Sequence, residues 1–128
     1  MDDRALRDAL VAGGARLGAR GLIAAAEGNL SVRLPGDRIL ITPAGRRKDA
    51  LAWDELVVVA LDDGQATRDP VASGLRPSSD VVIHRAIYRA RRDVGAVVHA
   101  HVPAAMALTL AGETPDPAAL PETALLLP

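Results

Sequence analysis

Two histidines separated by one residue, His99 and His101, come directly after the apolar run 94–98. In a β-strand, residues i and i+2 point to the same face, so both imidazoles are expected to project together from the end of a strand. Such a pair is the beginning of a divalent-metal site, usually for zinc, although a catalytic zinc needs three protein ligands. The alternative is a structural or solvent-exposed pair, because this spacing also occurs on ordinary strands.

A second polar cluster, Ser78-Ser79-Asp80, stands at the start of a segment with helical periodicity. In one interpretation a serine caps the helix, and Asp80 lies in the first turn, where the helix dipole favours a carboxylate. In the other, the helix N-terminus and its two hydroxyls bind an anion such as phosphate. Asp80 then serves as a metal ligand or a general base. His84 can share a face with Asp80 and is expected to pack or to bond locally.

Two further segments carry residues of interest. Gly28-Asn29 is a plausible turn whose backbone amides could face a ligand. The basic run 46–48 follows the turn that contains Gly45 and is expected to be a solvated loop without a functional role.

The elements that must position these residues follow from hydrophobic periodicity and turn signals. The predicted helices span residues 3–20, 52–56, 79–91 and 103–110. The predicted strands span residues 30–34, 38–42, 57–61, 65–68 and 95–99. The strand over 95–99 is expected to be buried, and the apolar face of the helix over 79–91 is expected to consist of Val82, Ile83, Ala86, Ile87 and Ala90. This order of elements predicts an α+β or α/β layered domain.

Composition excludes several classes of protein. The chain has 128 residues, which predicts one domain with its own core. The net charge of −1, from 15 basic and 16 acidic residues, argues against a nucleic-acid or membrane-surface partner. Cysteine is absent, so disulfides and thiolate metal sites are excluded. No apolar run approaches the ~20 residues that cross a bilayer, and the N-terminus does not resemble a signal peptide. A cytoplasmic protein is expected.

Several spaced motifs, taken in order, resemble the class II aldolase/adducin family, which includes fuculose-phosphate aldolase, rhamnulose-phosphate aldolase and ribulose-phosphate 4-epimerase. The resemblance covers nearly the whole chain. It is carried by Gly21-Leu22, residues 27–33, residues 41–45, residues 77–80, His84, Tyr88, residues 97–101 and Leu120-Pro121-Glu122.

The resemblance implies an α/β fold with three α/β/α layers around a mostly antiparallel sheet. It also implies a catalytic Zn²⁺ or another divalent metal, a small phosphorylated sugar as substrate, and a homo-oligomer, which is a tetramer in the family. His99 and His101 fall on zinc-ligand positions, and Asp80 falls on the position of a catalytic carboxylate or ligand. The phosphate or substrate positions fall on Gly28, Asn29, Gly45, Ser78 and Ser79. The implied reaction is aldol cleavage or formation through a metal-stabilised enediolate.

Three departures from the family pattern qualify this expectation. Asp80 stands where the aldolases have Glu, and Ala44 stands where a hydroxyl residue often holds phosphate. Family members continue beyond the equivalent of Pro128 and supply a third zinc histidine there, whereas no histidine follows His101. We therefore expect residues 1–128 to form a class II aldolase/adducin-like domain without the family's C-terminal part. The alternatives are a catalytically inactive interaction or oligomerisation domain, or a sugar-phosphate epimerase or dehydratase.

Overall fold

Helices and strands follow one another along the chain in the order predicted, and the computed structural model describes residues 3–62, 74–114 and 116. The helices are α1 (Asp3–Ala19), α2 (Val81–Ala90) and α3 (Pro103–Ala111). The strands are β1 (Asn29–Leu34), β2 (Arg38–Ile41), β3 (Val57–Ala60) and β4 (Ala96–His99). Two short 3-10 helices, Lys48–Ala50 and Trp53–Glu55, connect β2 to β3. The strand predicted over 65–68 lies outside the described residues.

The four strands form one antiparallel sheet in the order β3-β2-β1-β4. β1 and β2 pair as the predicted hairpin, with Ser31 opposite Ile41. On its other side β1 pairs with β4, and Asn29 lies opposite His99. Because directly opposed residues project to the same face, this register brings the first residue of β1 to the last residue of β4.

The side chains of β1 alternate between two differently filled layers. Leu30 and Leu34 belong to an apolar cluster that Leu10 of α1 completes. Ser31 and Arg33 point to the opposite face and contact Tyr88 of α2. A second apolar cluster on that face contains Tyr88 and alternate residues of β2 and β3. The sheet is therefore covered on both faces, which confirms the predicted three-layer arrangement.

Close packing joins α1 to the first 3-10 helix. A Cβ placed on Gly14 would lie 2.0 Å from the backbone oxygen of Lys48, so only glycine fits there. Lys48 is buried, and its Nζ donates to the carbonyl oxygens of Ala26 and Arg46, each at 2.7 Å. Burial lowers the pKa of Lys48, with Asp80 acting in the opposite sense. The expectation that the basic run 46–48 is a solvated loop is therefore wrong for Lys48.

Two further expectations about burial are wrong. The buried residues of α2 are His84 and Tyr88, whereas Val82 and Ile83 of the predicted apolar face are exposed. The alternation on β1 explains this, because its polar side chains require polar partners across the layer. β4 was expected to be buried, but it is the edge strand of the described sheet, and Val98 is exposed.

Candidate active site

Three elements meet at the residues that the sequence singled out. These are the start of β1, the end of β4 and the N-terminus of α2. The last of these is fastened to the sheet, because the Ser78 N–H donates to the Thr42 carbonyl at 3.1 Å and Pro43 forms a bridge with Pro77. The Thr42 hydroxyl in turn accepts the Leu30 N–H at 3.2 Å. The loop before α2 is thereby held beside Asn29.

Asp80 occupies the N-cap position of α2, but its side chain does not cap the helix. Its Oδ2 instead accepts hydrogen bonds from Asn29 Nδ2 at 2.7 Å and from His99 Nδ1 at 3.0 Å. The hydrogen bond from Asn29 is the main cause that lowers the pKa of Asp80, and His99 lowers it further against the opposing effect of burial. The carboxylate is therefore ionised at neutral pH and is directed into the site.

The contact with Asp80 fixes the tautomer of His99. Because an ionised carboxylate only accepts hydrogen bonds, His99 Nδ1 must carry the proton when the ring is neutral. This assignment follows from the hydrogen-bond network. Asn29 Nδ2 and His99 Nδ1 lie 3.3 Å apart. Both nitrogens are then donors, and they share Asp80 Oδ2 as their acceptor. The lone pair of His99 is left on Nε2, where it is available to a metal ion.

His101 lies beside His99, with the two ring centroids 4.9 Å apart. Its backbone N–H donates to the Leu22 carbonyl at 3.0 Å, and its Nδ1 is 3.8 Å from Oε2 of Glu27. A carboxylate that is hydrogen-bonded to one ring nitrogen orients a histidine ligand of a metal. Asp80 makes this contact with His99, whereas Glu27 lies beyond hydrogen-bond distance of His101. Glu27 was not singled out from the sequence.

The donor set fits a metal ion only in part. The two imidazoles are suitable as a pair of ligands through Nε2. Within residues 3–62, 74–114 and 116, however, no three His, Cys, Asp or Glu side chains form a group that could hold an ion. Asp80 contacts the Nδ1 side of His99, which is the position of a residue that orients a ligand. The segment Leu120-Pro121-Glu122 lies outside the described residues.

The residues predicted to bind phosphate differ in their availability. Gly45 has a φ of +67° and is exposed, and no atom lies within 4 Å of a Cβ built on it. Ser79 is also exposed, and its Oγ is 3.5 Å from Oδ1 of Asp80. Ser78 is buried, and its Oγ accepts the Asp80 N–H at 3.3 Å. Gly28 is packed tightly, since a Cβ there would lie 2.8 Å from the His99 carbonyl oxygen.

Asp80 and His99 line a cleft of about 390 Å³ between α2 and β4. Its walls include Ile83, Ile87 and Val98, so the polar groups of the site lie next to an apolar surface. Clefts of this size that combine apolar walls with a few polar groups are typical of small-molecule sites.

Three buried residues that the sequence did not mark as functional extend the site into the core. His84 Nε2 lies 2.5 Å from Asn29 Oδ1, and His84 Nδ1 lies 2.6 Å from the Ser31 hydroxyl. That hydroxyl is 2.9 Å from the hydroxyl of Tyr88. Two spacings set these residues apart, namely the polar residues at every second position of β1 and the four-residue interval from His84 to Tyr88, but neither spacing alone shows that they are buried together.

Comparison with known proteins agrees with this geometry. The family described as "Class II Aldolase and Adducin N-terminal domain" matches residues 8–127. The chain belongs to this family. It is 44% identical over 102 residues to a methylthioribulose-1-phosphate dehydratase of Granulibacter bethesdensis, covering 80% of this chain and 45% of that protein. The predicted family is therefore confirmed.

Solved structures of the class II aldolase superfamily share the fold. YgbL of Klebsiella pneumoniae superposes with a TM-score of 0.76 at 37% identity, covering 85% of this chain and 50% of YgbL. L-fuculose-1-phosphate aldolase of Thermus thermophilus gives a TM-score of 0.69 at 37% identity, covering 83% of this chain and 49% of the aldolase. This class II aldolase/adducin domain thus spans about half the length of the relatives it matches. In the described part of the chain, no helix is long and apolar enough to span a bilayer.

Proposed function

We propose that the chain acts as a metal-dependent lyase on a small phosphorylated sugar. The observation that carries the proposal is the contact of Asp80 with His99 Nδ1 beside His101, at the mouth of a cleft. This arrangement places an ionised carboxylate next to two imidazole rings. The relatives named as a dehydratase and an aldolase of sugar phosphates support the substrate class.

We assign roles to the residues from the nitrogen and oxygen atoms that face the site, namely the imidazole Nε2 atoms and Oδ1 of Asp80. His99 and His101 would hold Zn²⁺, or another divalent metal, through Nε2. When bound, the metal supplies stabilisation of negative charge that develops on substrate oxygens. Asp80 uses Oδ2 to orient His99, whereas its Oδ1 makes a long contact with Ser79 at 3.5 Å. Oδ1 is therefore the oxygen that can accept a proton from the substrate.

The phosphate group would be bound at the N-terminus of α2. The helix dipole and the backbone N–H groups of a first turn favour an anion there. Gly45 and Ser79 are exposed and would contact the phosphate directly, while Ser78 supports Asp80 from the buried side. Asn29 and Gly28 complete the proposed substrate-binding set. Gly28 permits the close approach of its loop to β4, and Asn29 holds the carboxylate.

Dehydration is the reaction that the comparisons favour, since the 44% identical relative is named as a dehydratase. Carbon–carbon cleavage is the second candidate, because L-fuculose-1-phosphate aldolase has the same fold at 37% identity. Both reactions need removal of a proton and stabilisation of an oxyanion, so the same residues serve either one.

Turnover of two substrates by the purified chain tests the proposal and separates the two reactions. The zinc-supplemented chain is incubated with methylthioribulose 1-phosphate and, separately, with L-fuculose 1-phosphate, and the products are followed by mass spectrometry. We expect loss of water from the first substrate, abolished by a chelator, by His99→Ala and by Asp80→Asn. Asp8→Asn on the exposed side of α1 is the control variant, and it should retain activity. A folded, zinc-loaded chain that converts neither substrate would refute the proposal.

An interaction role is a second candidate function, and α3 favours it. This helix is almost wholly apolar, and none of its residues is buried. Leu110 is 85% exposed, and Met106 and Leu108 are exposed as well. We propose that these side chains drive self-association into a homo-oligomer. Light scattering should show a mass above the 13.3 kDa of one chain, and Leu110→Glu should reduce it. A monomer at high concentration would exclude this role.

A further inference from the structure

A continuous series of buried hydrogen bonds leads from the core to Asp80. It joins the Tyr88 hydroxyl to Ser31 Oγ (2.9 Å), Ser31 Oγ to His84 Nδ1 (2.6 Å) and His84 Nε2 to Asn29 Oδ1 (2.5 Å). Asn29 Nδ2 then contacts Asp80 Oδ2 at 2.7 Å. The four residues that lead to Asp80 in this series are at most 3% exposed. We call these four residues, Asn29, Ser31, His84 and Tyr88, the buried relay.

The carboxylate fixes the direction of every bond in the buried relay. Asp80 can only accept, so the Asn29 amide must point its NH₂ group at Asp80 and its oxygen at His84. His84 Nε2 must therefore donate. Burial lowers the pKa of His84, and in the neutral ring Nδ1 must accept from the Ser31 hydroxyl. That hydroxyl then accepts from Tyr88. Every donor points toward Asp80.

We infer that His84 is a positioning residue for the active site, which acts through Asn29 with the support of Ser31 and Tyr88. Its Nε2–H holds the Asn29 amide in the only orientation that donates to Asp80. A flipped amide would place two acceptor oxygens, Asn29 Oδ1 and Asp80 Oδ2, against each other. The inference rests on the proposed function only for the roles of Asp80 and His99.

A residue that only filled the core would not require this donor-to-acceptor direction of the hydrogen bonds. Every buried side-chain nitrogen and oxygen in the described residues has a hydrogen-bond partner. Among the four relay residues alone either direction would provide one, and Asp80 selects between them. The direction ending in an NH₂ donor presents a hydrogen to Asp80 Oδ2, the same oxygen that accepts the His99 Nδ1 proton. That proton determines which nitrogen of His99 carries the lone pair.

The sequence makes the tautomers directly measurable by ¹⁵N NMR. The chain has three histidines, so only three imidazole spin systems occur, and Asn29 and Gln65 are its single asparagine and single glutamine. Gln65→Glu removes one of the two side-chain NH₂ pairs and so assigns the other to Asn29. In the metal-free 128-residue chain at neutral pH, we expect His84 to be protonated at Nε2 and His99 at Nδ1, with a slowly exchanging Asn29 amide proton.

Two substitutions at position 84 separate positioning from packing. Gln can place an NH₂ group near the position of Nε2, whereas Phe keeps the ring but provides no donor. We expect His84→Phe to abolish the slow exchange of the Asn29 amide and to shift His99 from one tautomer to a mixture of two. His84→Gln should retain both signatures. A folded His84→Phe protein in which both signatures persist would overturn the inference.

If a variant fails to fold, the wild-type spectrum alone still tests the direction of the hydrogen bonds in the buried relay. A His84 ring protonated at Nδ1 would reverse the relay and overturn the inference, whereas protonation at Nε2 supports it. The readout needs neither metal nor substrate. A chain with the expected tautomers but no lyase activity would therefore refute the proposed function and leave the positioning network intact.

Discussion

Ser31→Ala is expected to destabilise the protein more than Tyr88→Phe, although each change removes a single hydroxyl group. The Ser31 hydroxyl lies between His84 Nδ1 at 2.6 Å and the Tyr88 hydroxyl at 2.9 Å. All three residues are at most 1% exposed. Removing the central hydroxyl leaves His84 Nδ1 without its partner and breaks the hydrogen bond to Tyr88, whose hydroxyl keeps a backbone contact at Val97. Removing the phenolic hydroxyl leaves Ser31 still bonded to His84.

The difference in magnitude follows from this count. A buried polar group without a partner costs about 1–3 kcal/mol and a lost neutral hydrogen bond about 0.5–1.5 kcal/mol, so Ser31→Ala should lower the free energy of unfolding by about 1.5–4.5 kcal/mol. Tyr88→Phe removes one neutral hydrogen bond and should cost about 0.5–1.5 kcal/mol. In the double variant, Ser31→Ala with Tyr88→Phe, the hydrogen bond between the two hydroxyls is lost only once. The combined cost should therefore be smaller than the sum of the two single costs.

Urea unfolding, followed by circular dichroism, measures these free energies provided that the denaturant slope stays constant. Ser79→Ala is the matched control, because its exposed hydroxyl makes a long contact with Asp80. It should change the free energy of unfolding by no more than about 0.5 kcal/mol. A cost of Ser31→Ala no greater than that of Tyr88→Phe, or two costs that simply add, would contradict a central role of the Ser31 hydroxyl.

Two further predictions concern packing and pH. Gly14→Ala should destabilise the chain by about 1–3 kcal/mol in thermal unfolding, because its Cβ would meet the Lys48 backbone. Gly13→Ala is the matched control and should be neutral or stabilising, because its Cβ would meet a flexible leucine methyl at 3.1 Å. Burial lowers the pKa of His84 below its usual 6.5. As the pH falls, the His84 imidazole is therefore protonated in the unfolded chain before it is protonated in the folded chain. The contribution of neutral His84 to the free energy of unfolding should be fully present above pH 6.5. Below that pH the free energy of unfolding should decline by up to about 1.4 kcal/mol per pH unit. Urea titrations across this range should show a shallower decline for His84→Gln; an identical slope would contradict the assignment.

The elements could be predicted from the sequence because most of them carry a local signal. The helix beginning at Asp3, the hairpin around residues 35–37 and the helix opened by Pro103 follow from periodicity and turn residues. The two imidazoles are close together as expected, although β4 ends at His99 and His101 lies just beyond the strand. These features depend on neighbours in the sequence, and the structure agrees with them.

The buried polar layer could not be predicted in the same way. Asn29, Ser31 and Arg33 alternate with apolar residues, a pattern that normally indicates a solvent-facing side of a strand. The helix α2 covers that side with His84 and Tyr88, whereas apolar residues of the same helix remain exposed. The partners are separated by more than 50 residues. The polar side chains of β1 are favourable to bury only because those of α2 bond to them, and the reverse is also true. Neither segment alone therefore reveals the arrangement.

Metal content tests the central claim most directly, namely that His99 and His101 bind a divalent ion. The wild-type chain and His99→Ala are purified side by side without chelator or affinity tag, dialysed against zinc and then against buffer, and analysed for elemental metal. We expect about one zinc ion per wild-type chain and a loss of that zinc in His99→Ala. A folded wild-type chain that retains no metal would contradict it.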